Sequence, residues 1–265
     1  MKTLLEPCES LDAVKLASLR PVVRYVDADL AVVDLKLTLT QTPPTHPRTN
    51  KPARVELLVE VRSTDSFVDT QQLPLSLRGV AGSARLEIVQ PLRWWPANMG
   101  DQPLHDLEVG LLINDELTDL RSISIGLTSV RQLQSTSNAP STDAMLVVNG
   151  KPCSFSAIVP VDEVNQQKLL PVAGDALLLV RDHYGPDILY NAADRAGILM
   201  VQSVPIHPQG HPEWDVDAQV DRLTMHPSLA GWFVGHLGRV SDTMAQTLRE
   251  LDPTHQVFRE LPSLS

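Results

Sequence analysis

Partway along this chain the spacing of its apolar residues changes, and that change limits the fold more than any other feature. Up to residue 132, apolar and polar residues alternate: Leu35, Leu37 and Leu39; Val55, Leu57, Val59 and Val61; Leu73, Leu75 and Leu77; Leu107, Val109, Leu111 and Ile113. Successive side chains of a strand point to opposite faces, so each set marks a strand buried on one face only. Turn signals separate the sets: Thr42-Pro43-Pro44-Thr45-His46-Pro47, Gly79 with Gly82, and Asn114-Asp115. Short alternating strands with such breaks predict a β-sandwich over residues 20–132, after an N-terminal segment 1–19.

Residues 133–143 are polar and rich in Ser and Thr, and read as a linker. Beyond them the apolar runs become continuous: Ala176–Val180, Ile198–Val201 and Leu229–Val234. Such runs suit strands buried on both faces. Helical segments alternate with them, at Asp162–Leu170, Pro186–Ala196, Val216–Met225 and Ser241–Leu251. Pro186 suits a first helical turn and Gly197 a helix stop, while Pro253 ends the last helix at Asp252. Strand-helix alternation predicts a parallel sheet with right-handed crossovers. Five strands are expected, counted from Met145–Val148 to Gln256–Glu260. A closed barrel needs eight, so residues 144–265 predict a partial (β/α) TIM-barrel-like domain.

A formal charge of −10 opposes a nucleic-acid partner, because such a binder needs a basic face to neutralise phosphates. Cys8 and Cys153 are too few for a disulfide framework and fall in different expected domains, so both are read as free thiols. The opening Met1-Lys2-Thr3-Leu4-Leu5-Glu6-Pro7 lacks a signal-peptide apolar run, and no stretch approaches ~18 apolar residues. No membrane partner is expected, and the chain as given is expected to be cytoplasmic. A chain cut from a longer protein would void that expectation.

Five short motifs then stand in a familiar order. Arg93-Trp94-Trp95-Pro96 is followed by Gly100, Gln102-Pro103-Leu104 and Leu107; Ile125-Gly126-Leu127-Thr128 comes next, then Asn149-Gly150-Lys151-Pro152. Val180-Arg181 precedes Pro186–Tyr190 and Ala193–Gln202, and Met225-His226-Pro227-Ser228 leads to Trp232, Gly235, His236 and Leu237. Together they resemble glycoside hydrolase family 2, the β-galactosidase, β-glucuronidase and β-mannosidase group. The resemblance implies that the first domain is immunoglobulin-like, that Asn149–Pro152 forms the hairpin opening the barrel, and that the last motif should end in Asn-Glu. That Glu is the family's general acid/base. Here His236 and Leu237 occupy the pair, and Thr128 stands where the family has Arg.

Leucine neither gives nor takes a proton. Retaining glycoside hydrolysis needs two carboxyl groups about 5 Å apart. By resemblance the acid/base ends strand four and the nucleophile ends strand seven, which lies beyond the strands counted here. No catalytic residue is therefore assigned. Asp182 after strand two and Glu260 after strand five are the acids near strand ends, where barrel sites form. The family's acids after strand three are replaced by Gln202 and Ser203. A solvated loop acid and an ion-paired Glu are the plainer readings of Asp182 and Glu260.

Arg181, His183, His207, Trp232 and His236 are the candidate ligand contacts, because residues at the carboxyl ends of parallel strands converge. Trp232 suits a buried core position as well as a sugar-stacking face. Trp94 and Trp95 suit core or interdomain packing, and Asp194 suits helix packing. His183, His207, His211 and His236 all follow strands two to four, yet none shows a tight ligand spacing, so no metal and no cofactor is assigned.

Three functions fit these residues. The first is a non-catalytic family 2-like module with a carbohydrate-recognition or assembly role. The second is a hydrolase of β-glycosides, as part of a longer chain or through relocated carboxylates. The third is a scaffold pairing through its half-barrel. An open sheet leaves unpaired edge strands and an inner face carrying Leu177, Leu179, Met200 and Phe233 or their neighbours. A homo-oligomer or a second chain is expected to cover it.

Overall fold

The computed structural model describes residues 14–45, 52–63, 68–132, 146–163, 175–205, 215–236 and 238–261. The expected linker 133–143, residues 164–170 of the first expected helix, Cys8, His207, His211 and Leu237 lie outside them. The described chain falls into two units. The first comprises 14–25, 29–92 and 103–125; the second comprises 26–28, 93–102 and 126 onward. The division is thus interleaved, with residues 93–102 grouped in the second unit.

The first unit holds β1 (Leu16–Val26, all but its last residue), β2 (Leu30–Leu39), β3 (Val55–Arg62), β4 (Val68–Pro74), β5 (Ser76–Arg78), β6 (Ala81–Val89), β7 (His105–Ile113) and β8 (Glu116–Ile125). They form two four-stranded sheets, β1-β2-β6-β5 and β4-β3-β7-β8. Alternation dictates which face is buried. Leu35, Leu37 and Leu39 on β2, the Val55–Val61 set on β3 and the Leu107–Ile113 set on β7 are all buried. Leu73, Leu75 and Leu77 are only half-buried, because β4 and β5 are edge strands with neighbours on one side. Asn114 and Asp115 join β7 to β8 with φ of 53° and 69°, the tight hairpin geometry that their short polar side chains tolerate.

The second unit opens with a small antiparallel sheet, β11-β10-β9, formed by β9 (Val130–Gln132), β10 (Leu146–Val148) and β11 (Lys151–Cys153). The apolar stretch 145–148 was expected to be the first parallel strand. Instead Asn149 and Gly150, at φ 48° and 81°, turn β10 back onto β11, which a barrel strand followed by a crossover does not do. The first parallel strand is β12 (Ile158–Val161). After it come β13 (Leu177–Val180), α1 (Asp187–Ala196), β14 (Met200–Ser203), α2 (Val216–Leu223), β15 (Leu229–Phe233), α3 (Arg239–Leu251) and β16 (Gln256–Phe258). Strands β12 to β16 lie in chain order, every neighbouring pair parallel. This is a five-stranded open sheet, with no closed barrel among the described residues. Pro186 precedes α1, and Gly197 ends it at φ 68°, its N–H donating to the Ala193 carbonyl.

Register decides the two faces of this sheet. Val161, Leu178, Val180, Met200, Trp232 and Val257 pack into one core with Leu189, Ala193, Val220, Ala245 and Leu248 of the helices. Leu177, Leu179, Val201, Ser203, Phe233 and Phe258 alternate to the other side. Met200 pairs with Leu178 and so belongs to the helix side, contrary to expectation. Leu177 and Leu179 are 0% and 8% exposed within the chain itself, and Phe233 is half-buried. The expected bare apolar inner face is therefore absent among the described residues. Gly231 shows how closely one part is filled: at φ 154°, a Cβ there would overlap the Gln256 carbonyl and the Phe258 ring. No described helix is long and apolar enough to cross a membrane.

Candidate functional site

The motifs scattered through the sequence meet in the second unit. Trp94 is fully buried and donates from its indole Nε1 to the Asp194 carbonyl at 2.7 Å. The Asp194 carboxylate accepts from the Ser228 N–H at 3.1 Å, from the Ser228 hydroxyl, and from Nδ1 of His226 at 2.7 Å. A carboxylate only accepts, so His226 carries its proton on Nδ1. Pro227, between these partners, packs on Gly126, where a Cβ would overlap its ring. Asn149 donates from Nδ2 to the Trp94 carbonyl at 2.9 Å, and its Oδ1 accepts from the Ser129 N–H at 2.9 Å. Ala97 N–H donates to the Gly197 carbonyl at 2.9 Å. Arg93 and Lys151 each sit 5.1 Å from the Trp95 ring centroid.

Buried polar groups must be paired, and unpairing one costs about 1–3 kcal/mol. The arrangement therefore accounts for the Trp-Trp, Gly126, Asn-Gly, Ala-Asp and His-Pro-Ser motifs as framework. None of these side chains needs a substrate to be satisfied.

The strand ends carry different chemistry. Arg181 and Asp182 are exposed just after β13, with Asp182 at φ 64°. His183 closes back on this turn, its Nδ1 2.7 Å from the Arg181 carbonyl. Gln202, at the end of β14, is fully buried and accepts from the Gly185 N–H at 3.1 Å and the Tyr190 hydroxyl at 2.9 Å. His236 follows β15 with 62% of its side chain exposed, and its Nε2 lies 3.2 Å from Oε1 of Glu260 beyond β16. Glu260 thus pairs with an imidazole, and Asp182 sits on a solvated turn.

Trp232 is placed away from these groups. It is fully buried on the helix side and donates from Nε1 to Asp252 Oδ2 at 2.8 Å. Of its two readings, Trp232 therefore takes the buried core position, and its neighbour Phe233 takes the opposite side of the sheet. Burial alone would raise the Asp252 carboxyl. The adjacent His255 imidazole and hydrogen bonds from His255, Thr254 and Trp232 outweigh that and hold it well below the usual carboxylate range. Cys153 is a free, buried thiol that burial pushes up to about 11.

Among the described residues, no group of three His, Cys, Asp or Glu side chains is placed to hold a metal ion. His207 and Leu237 are outside the described residues, so the acid/base position is known here by its residue type alone. Sequence reading missed Gln202 as an organising residue and Asp252 as the partner of Trp232. A polar residue inside the run Ile198–Ser203 was the only available signal for Gln202, and Asp252-Pro253 drew attention only as a helix end.

No protein-family model matches the chain. It is 27% identical over 238 residues to β-mannosidase A of Emericella nidulans, covering 76% of this chain and 25% of that protein. It is 24% identical over 180 residues to the exo-β-D-glucosaminidase of Streptomyces avermitilis, covering 58% and 20%. In fold it is similar to the Amycolatopsis orientalis exo-chitosanase, with a TM-score of 0.65 at 19% identity over 93% of this chain and 32% of that one. A glycosyl hydrolase family 2 member from Bacteroides cellulosilyticus matches with a TM-score of 0.65 at 18% identity over 92% and 35%. The chain is a relative of the glycoside hydrolase family 2 enzymes, and it spans about a quarter of the length of the curated relatives it matches.

Proposed function

We propose that this chain is a non-catalytic module of the family 2 type, an immunoglobulin-like domain followed by a section of a (β/α) barrel, with a carbohydrate-recognition role. One observation carries the reading. Leu237 stands in the acid/base position, while the adjoining His226-Pro227-Ser228 segment keeps its full buried network with Asp194. The framework is kept where the proton carrier is not.

The candidate contacts are Arg181, His183 and His236, at the carboxyl ends of β13 and β15, with His207 from outside the described residues. Open α/β sheets bind ligands beyond these ends. Trp232 is dropped from the set, because its indole is committed to Asp252. The exposed Arg181 guanidinium can donate to sugar hydroxyls, whereas a sugar reaching the imidazoles has to displace the His236–Glu260 pair or uncover the buried His183 Nε2.

A second reading is favoured by the relatives themselves, which are named for hydrolysing β-mannosides and β-glucosaminides. In it, the chain is a section of a longer β-glycosidase. Titration of the purified chain with methyl β-D-mannoside and with glucosamine, followed by amide chemical shifts, tests the recognition reading. Shifts are expected first at Arg181, His183 and His236. Shifts confined to residues 16–125, or none at millimolar sugar, would contradict it.

A further inference from the structure

We propose that Gln202 is a positioning residue: its carboxamide holds the β13–α1 loop in the conformation that fixes the His183 imidazole with its proton on Nδ1 and a buried, unpaired acceptor at Nε2. Arg181 and His183 are candidate sugar contacts on this loop, so the use of the device rests on the carbohydrate-recognition reading, whereas the device itself does not.

All four hydrogen-bonding positions of the Gln202 carboxamide are taken. Oε1 accepts from the Gly185 N–H and the Tyr190 hydroxyl, and Nε2 donates to the His183 carbonyl at 2.8 Å and the Ser203 carbonyl at 2.6 Å. Reversing the carboxamide would set its oxygen against two carbonyls, so the orientation is determined by its partners. The loop it grips is also held at both ends. Arg181 N–H donates to the Val161 carbonyl at 3.0 Å, and Arg222 Nη2 donates to the Gly185 carbonyl at 2.9 Å. Between them Asp182 sits in the left-handed region at φ 64°, a conformation that its short polar side chain tolerates.

That backbone bend brings the His183 ring onto the Arg181 carbonyl. A carbonyl only accepts, so a neutral ring has its proton on Nδ1, and Nε2 is left as an acceptor. Nε2 is buried, and among the described residues it has no hydrogen-bond partner. The bond from Gln202 to the His183 carbonyl restrains the same residue from the buried side. Without it, the left-handed turn relaxes and the ring leaves the Arg181 carbonyl.

Histidine ring nitrogen signals at pH 8, recorded on the full chain without ligand, test the assignment. Wild type is expected to show His183 as a single Nδ1–H tautomer. In Q202M and Q202E its two ring nitrogens should converge toward the tautomer average. Y190F removes a bond to Gln202 that does not involve the loop; it should lower the thermal midpoint and leave the His183 pattern unchanged. A wild-type Nε2–H tautomer, an unaltered pattern in folded Q202E, or a Y190F change as large as that of Q202E would overturn the proposal. If these patterns appear as expected and methyl β-D-mannoside moves no wild-type resonance, the positioning role stands and the recognition reading fails.

Discussion

Replacing Asp194 with Ala should unfold the second unit far more readily than any surface change. The carboxylate is 5% exposed and accepts from the Ser228 N–H, the Ser228 hydroxyl and His226 Nδ1. D194A leaves all three donors buried. At ~1–3 kcal/mol per orphaned group, and with partial relaxation between neighbours, the loss should come to about 3–5 kcal/mol. For a unit of this size 1 kcal/mol moves the midpoint by roughly 2–4 °C, so the second unit's transition should fall by about 6–20 °C. D194N keeps one oxygen for the Ser228 donors and lets His226 accept from the new amide after a tautomer change, so it should lose about half as much. Calorimetry of the chain, with hydrogen exchange to assign each transition to a unit, reads both. If D194A unfolds within ~0.5 kcal/mol of wild type, the buried network does not hold the unit together.

Three further outcomes follow from single contacts. G126A sets a methyl into the Pro227 ring and should cost about 1–3 kcal/mol by chemical denaturation, while G150A, strained by its φ of 81° yet with nothing within 4 Å of the added Cβ, serves as a comparison without overlap. Asp252 is held below the usual carboxylate range, so its stabilisation is complete above the unfolded value near 4 and is lost as pH falls below it; D252N should flatten that acid limb of a stability-against-pH curve, and an unchanged limb would refute the assignment. Among the described residues β12 and β16 are the outermost strands of the five-stranded sheet, so light scattering over a micromolar dilution series is expected to show a second copy associating with this sheet; a monomer throughout would refute it.

How much of this was legible depended on whether two faces of an element differ. In β2, β3 and β7 one face meets water, so alternation alone picked out the buried residues. In β13, β14 and β15 both faces are apolar, and the pattern is silent about parity. Trp232 and Phe233 read alike in Leu229–Val234, and only the register of β15 against β14, including its irregularity at Met200–Val201, sends Trp232 to the helices. Leu146–Val148 failed for a related reason. Three apolar residues look the same in a hairpin as in a barrel strand, and the deciding signal was the Asn149-Gly150 turn that follows. The Asp194–His226–Ser228 cluster joins residues more than thirty apart, which no local spacing reveals. The motif that named the family relation was legible; what its residues hold in place was not.

The proposal that this chain does not carry out glycoside hydrolysis is tested most directly by turnover of p-nitrophenyl β-D-mannoside and β-D-glucosaminide by the purified chain. General acid/base help is commonly worth about 10²- to 10⁴-fold, and Leu237 supplies none. Release of nitrophenol at the rate of buffer alone is the expected result, for the chain as given and for L237A. Steady turnover that saturates with substrate and persists unchanged in L237A would contradict the account, because the acid/base would then have to come from a residue other than the one in the family position.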